Sequence, residues 1–129
     1  MTLDSSALLA ILFAEVGHLD LVDRILEADH VRVGAPTLVE TTLVLAGRRP
    51  SLSASGTVED LVKELGVTVV PFGEREWSNA VDAFLRFGRG RHAAGLNFGD
   101  CLAYGTAAAA NDTLLFVGND FAQTDISSA

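Results

Sequence analysis

Four short β-like runs, Met1–Leu3, Val31–Gly34, Val67–Val70 and Leu114–Val117, recur along the 129-residue chain, and the segments between them carry a helical period instead. Each run is too short for a helix and is closed by a polar residue, Gly or Pro, as a strand entering a turn would be. The runs are also too apolar to belong to a sheet with one wet face. Repeated β-then-α order of this kind predicts an α/β domain: three layers, α/β/α, around a central parallel sheet of four to five strands, with residues 1–129 as one unit. Right-handed crossovers bring the C-terminal ends of all strands to one edge, where open sheets bind their ligands.

The helical segments are read from the same rows. Ala7–Ala14 is apolar all round and Leu19–Glu27 is amphipathic after Gly17. A third helix begins near Pro36 and Thr37, where proline suits a first turn, and runs to about Ala46 before Gly47. Trp77, Ala80, Val81, Phe84 and Leu85 follow helical spacing and predict a helix over Glu74–Phe87, ended by Gly88 and Gly90. Asn97 is a capping residue for a last helix whose apolar face is Cys101–Ala110.

No apolar run reaches the roughly 20 residues of a membrane span, and Asp4 stands where a secretory leader wants positive charge, so a cytoplasmic protein is expected. The single cysteine, Cys101, forms no internal disulfide and fits a reducing compartment. A net charge of −8 is unusual for a chain that meets nucleic acid. Its cations are unevenly spread, however: Arg86, Arg89 and Arg91 fall together beside His92, either as a phosphate-contacting patch or as a solvated loop.

The acidic residues carry the chemistry. Asp4 ends the first strand, Glu40 falls in the first turn of the helix after the second, Asp100 opens the last helix, and Asp120 follows the last strand. All four are thereby directed to one sheet edge, and no cation stands within two residues of any of them. Crowded carboxylates repel and raise one another's pKa, and a hard divalent cation such as Mg2+ or Mn2+ relieves that tension with oxygen ligands. Each acid also has a structural alternative: a cap for Asp4, a helix-dipole partner for Glu40, a capping arrangement with Asn97 for Asp100, a Gly118–Asn119 turn for Asp120. Ser5, Ser6 and Asn119 are candidates to support the carboxylates or bound water, and equally common at helix starts and turns.

Three segments resemble a known family. Leu3-Asp4-Ser5-Ser6-Ala7-Leu8-Leu9-Ala10 looks like the start of a PIN domain. The segment from Gly88 through Arg89, Arg91, His92, Gly95, Leu96, Asn97, Phe98 and Gly99 to Asp100 and Cys101 resembles a long motif of VapC toxins, and Leu114–Phe121 with Thr124-Asp125-Ile126 is similar to the end of that group. The resemblance implies a magnesium- or manganese-dependent endoribonuclease whose acidic site is Asp4, Glu40, Asp100 and Asp120. Asp4 and Asp100 are then the firmest metal ligands, and Arg86, Arg89 and Arg91 the RNA contacts. Asp120 and Asp125 both remain open as the residue that completes the site. It further implies a homodimer neutralised by a VapB-type antitoxin in a larger hetero-oligomer, the antitoxin placing a basic side chain among the acids.

Other readings compete. An aspartate-based phosphatase wants a second aspartate where Ser6 stands, and a receiver domain wants a lysine near its last strand, whereas the only lysine is Lys63 in an earlier helical segment. A catalytically inactive module that only docks a basic partner is the remaining alternative.

Overall fold

The structure, a computed structural model, describes every residue from Met1 to Ala129. In chain order the elements are β1 (Thr2–Leu3), α1 (Ser5–Leu12), α2 (His18–Glu27), β2 (Arg32–Gly34), α3 (Ala35–Arg48), α4 (Ala54–Glu64), β3 (Thr68–Val70), α5 (Glu74–Phe87), α6 (Phe98–Ala109) and β4 (Leu114–Leu115). The strands form one sheet in the order β3-β2-β1-β4, every pairing parallel. That is the expected layered α/β architecture. A parallel bridge from Ser128 to Leu114 adds the chain's tail to the β4 side.

Strand residues point alternately to two cores, which separates the helices into two layers. Leu3, Val33 and Leu115 are buried with Leu8, Leu21 and Ile25 of α1 and α2, and α3 and α4 cover the rest of that face. Leu114 faces the other way, among Ala80, Ala83 and Phe87 of α5 and Cys101, Ala103, Tyr104 and Ala107 of α6. Small residues let those two helices touch: a Cβ on Gly105 would lie 2.5 Å from the Glu76 carbonyl oxygen and 2.9 Å from Ala80 Cβ.

Several boundaries differ from the sequence expectation for local reasons. The first helix starts at Ser5, two residues before Ala7, because Asp4 caps it. The segment around Lys63, read only as helical, is the full helix α4, with Val58 buried against Leu45 of α3. The last strand is two residues long, and Phe116 leaves the ladder to pack on Phe121 with ring centroids 5.0 Å apart.

The chain moves outward from β1 to β2 and β3, then returns to place β4 on the opposite side of β1. The switch point therefore lies between β1 and β4, where such sheets open a crevice at the strand C-termini. The residues leaving those two strands are Asp4 and the Phe116–Asp120 loop.

Candidate active site

Asp4 leaves β1 in extended conformation and caps α1. Its Oδ2 accepts the Ser6 backbone N–H at 3.0 Å and the Ser6 hydroxyl at 2.5 Å. The same Ser6 oxygen accepts the Val117 N–H at 3.0 Å, so Ser6 spans the switch point and ties α1 to the loop after β4. Burial leaves Asp4 only 3 % exposed and raises its pKa, with the charge of Asp120 adding to the rise and the Ser6 and Ser5 hydrogen bonds opposing it.

Asp100 is the third residue of α6. Asn97 Oδ1 accepts the Asp100 N–H at 3.0 Å while Asp100 Oδ2 accepts the Asn97 N–H at 2.8 Å, a reciprocal capping box. The capping alternatives for Asp4 and Asp100 are thus realised, and the two carboxylates still act on each other's charge. Burial raises the Asp100 pKa to about 6, the Asn97 N–H works against that, Asp4 and Asp120 reinforce it, and Arg89 opposes it.

Glu40 lies in the second turn of α3, because the helix begins at Ala35 rather than near Pro36 and Thr37. A helix-dipole role in the first turn is accordingly not its position. Burial raises its pKa, followed by the charges of Asp4 and Asp100, with the Ser5 hydroxyl favouring the ionised form. Its Oε2 is buried without a hydrogen-bond partner. Gly99 makes the seat: a Cβ there would stand 2.4 Å from Glu40 Oε1 and 2.5 Å from Oε2. Sequence reading passed over Gly99, since its requirement arises from a side chain on another helix.

Asp120 is exposed at the mouth, and its charge acts on both Asp4 and Asp100. Asn119 is exposed beside it, its carbonyl accepting the Ala122 N–H at 3.1 Å. Asp125 lies apart from this group, bound to the Tyr104 hydroxyl and to Arg86. Arg86, grouped by spacing with Arg89 and Arg91, is thereby committed to Asp125 and to Asp82 at 3.1 Å. Arg89 is exposed and within electrostatic reach of Asp100, and Arg91 stacks over Phe84 at 5.4 Å.

The opposite edge of the sheet shows what a half-buried acid with partners looks like in this chain. There Asp112 meets the amino terminus at 2.9 Å, Arg32 at 3.1 Å and Thr2 at 3.1 Å. Burial alone would raise its pKa, yet the amino terminus, the Thr2 hydroxyl and the Thr113 N–H together lower it. None of Asp4, Glu40, Asp100 or Asp120 takes part in a salt bridge. Three of the four have raised pKa values and one keeps an unpartnered buried oxygen, a charge deficit that a cation with oxygen preference would relieve. No three of the acids close around a single point at ligand distance.

An open groove of about 630 Å³ adjoins Glu40, lined by Leu43, Val44, Asn97, Phe98, Gly99 and Leu102. Phe98 is 79 % exposed there. No helix of the chain is long and apolar enough to cross a membrane.

Comparison with known proteins accounts for the whole chain. The PIN domain family model matches residues 1–127. Ribonuclease VapC36 of Mycobacterium tuberculosis is 42 % identical over 127 residues, covering 98 % of this chain and 91 % of that protein. Ribonuclease VapC28 of the same organism is 38 % identical over 130 residues, covering 100 % and 97 %. The crystal structure of Mycobacterium tuberculosis VapC20, a sarcin-ricin loop cleaving toxin, superimposes with a TM-score of 0.76 over 99 % of this chain and 97 % of that one; at 14 % identity the likeness is one of fold.

Proposed function

Since the chain belongs to the PIN-domain family, and within it to the VapC ribonuclease group, we propose that it is an endoribonuclease toxin that hydrolyses RNA phosphodiester bonds with a divalent cation, Mg2+ or Mn2+. The observation that carries this reading is the gathering of Asp4, Glu40, Asp100 and Asp120 at the switch point with no salt bridge to any of them.

Asp4 and Asp100 hold the cation. When bound, it supplies positive charge to the scissile phosphate and to the leaving oxygen. Glu40 Oε2, buried and without a partner, receives the proton of the attacking water; its raised pKa makes it a better acceptor than an ordinary carboxylate. Asp120, exposed at the mouth, orients water entering the site, with Asn119 beside it. Arg89 and Arg91 contact the RNA phosphates at the rim, and Ser5 and Ser6 hold Glu40 and Asp4 in place.

The same charge deficit suits a VapB-type antitoxin. A basic side chain of the antitoxin, seated among the acids, does for the resting protein what the cation does for the active one. Exposed apolar residues on α3 (Val39, Leu43) and α5 (Trp77, Val81, Phe84) line grooves that adjoin the site through Phe98, which supports burial against the antitoxin and in a homodimer. The protein would act on RNA in the cytoplasm.

The test is incubation of purified protein, freed of antitoxin, with structured RNAs in the presence and absence of Mg2+ or Mn2+. Cleavage is expected to disappear with chelator and in Asp100→Asn. Equal cleavage by that variant would reject the assigned site.

A further inference from the structure

We propose that Tyr104, Asp125 and Arg86 form a clasp that positions Asp120 against Asp100, an inference that rests on the nuclease reading above.

Asp120 is exposed, and the backbone of its loop decides where its carboxylate stands. That loop is tethered at two ends. At its start, the Val117 N–H is held by Ser6, two residues past Asp4 on α1. Beyond its end, Asp125 Oδ1 accepts the hydroxyl of Tyr104, which lies one turn beyond Asp100 on α6, and Asp125 Oδ2 accepts Arg86 from the last turn of α5. The Ser6 and Tyr104 tethers thus end on α1 and α6, the two helices that carry a site acid at the N-terminus.

Between Asp120 and Asp125 the chain has little freedom to absorb a displacement. Phe121 is 2 % exposed, packed on Phe116. Its carbonyl accepts the Thr124 N–H at 3.0 Å and the Thr124 hydroxyl at 2.8 Å, and the Asn119 carbonyl accepts the Ala122 N–H at 3.1 Å. A shift at Asp125 is therefore passed on to Asp120. Tyr104 is itself 5 % exposed and fixed in the core shared by α5 and α6, so it is a rigid post for the tether. Burial pushes its phenol up to about 12, which keeps it a proton donor at any working pH.

A double-mutant cycle separates positioning from simple packing. Tyr104→Phe keeps the ring in the core and removes only the hydroxyl; Asp125→Asn is the second variant, should the first fold poorly. Single-turnover cleavage of a structured RNA transcript and calorimetric Mn2+ binding are measured on antitoxin-free protein. Tyr104→Phe is expected to lower the cleavage rate about tenfold and to weaken Mn2+ binding, a smaller loss than the roughly 100-fold that accompanies a 1 Å displacement. In an Asp120→Asn background neither quantity should fall further. Asp82→Asn, which removes only the exposed arm of Arg86, should match the unmutated protein.

Multiplicative losses from Tyr104→Phe and Asp120→Asn would overturn the clasp, as would a Tyr104→Phe variant with unchanged rate and affinity. Failure of the underlying reading has a different signature: Asp100→Asn cleaving like the unmutated protein, or no Mn2+ binding by the unmutated protein.

Discussion

Replacing Gly99 with alanine separates the seat of Glu40 from the stability of the fold. The new Cβ would stand 2.4 Å from Glu40 Oε1, 2.5 Å from Oε2 and 2.7 Å from Cδ, where ordinary contact begins at 3.4 Å. The carboxylate must retreat by about 1 Å, a displacement that costs a catalytic group on the order of 100-fold, or about 2.7 kcal/mol on the barrier. The clash falls on the end of a flexible side chain, and alanine is favoured over glycine in a helix by about 0.5–1 kcal/mol. Gly99→Ala should therefore fold with an unchanged or slightly higher melting temperature while cleaving RNA about 100-fold more slowly. In a Glu40→Ala background, where the space is vacant, the same substitution should cost no further activity. Calorimetry and single-turnover cleavage of the two variants are sufficient. Full activity in Gly99→Ala would refute the argument, and so would a fall in stability of about 1–3 kcal/mol, the mark of a backbone that moved in place of Glu40.

Asp100 titrates near 6 in the folded chain against an ordinary 3.8, so the fold holds an extra proton between those values and loses stability as pH rises through them. At 1.36 kcal/mol per unit the loss is at most about 3 kcal/mol, reduced by solvent screening of a partly solvated carboxylate; metal-free Asp100→Asn should melt above the unmutated protein at pH 7.5, with the gap closing by pH 4 in a melting series. Manganese at 100 times its dissociation constant should stabilise the protein by about 2.7 kcal/mol, and Asp4→Asn should diminish that rise in melting temperature; no rise in the unmutated protein would count against a cation site. Arg89→Ala should reduce the salt dependence of RNA binding by close to one phosphate contact, a slope change of about 0.9, whereas Arg86→Ala, whose guanidinium is already paired, should leave the slope unchanged in filter-binding titrations.

The parts of this structure that were legible in the sequence are those set by neighbours in the chain. The strand runs, the amphipathic period of α5 and the Asn97–Asp100 cap are local patterns; α5 and the cap form at the expected positions, while the last strand stops at Leu115 and β3 is exposed where a sheet covered on both faces was expected. The nearness of Asp4, Glu40 and Asp100 could be expected because parallel topology sends every strand end to the same edge. What escaped depends on contacts across long separations. Arg86 and Asp125 are 39 residues apart, and nothing near either one announces the pairing that takes Arg86 out of the basic cluster and Asp125 away from the acids. The start of α3 at Ala35, and with it the placement of Glu40 a turn deeper, follows from a glycine cap with no side-chain signal. Helix α4 lacks a strong start, its first residues being Ala54, Ser55 and Gly56.

The caps on α1 and α6 also divide the oxygens of the acids they use. Both bonds from Ser6 fall on Oδ2 of Asp4, and the bond from the Asn97 backbone falls on Oδ2 of Asp100. In each aspartate the cap thus engages Oδ2 and leaves Oδ1 the less committed oxygen. A large, irregularly coordinated ion such as calcium gains from gripping a carboxylate at both oxygens, whereas magnesium accepts single-point attachment and fills its octahedron with solvent. For the cation proposed at this crevice, helix termination would then favour single-point attachment, through bonds that never touch the ion.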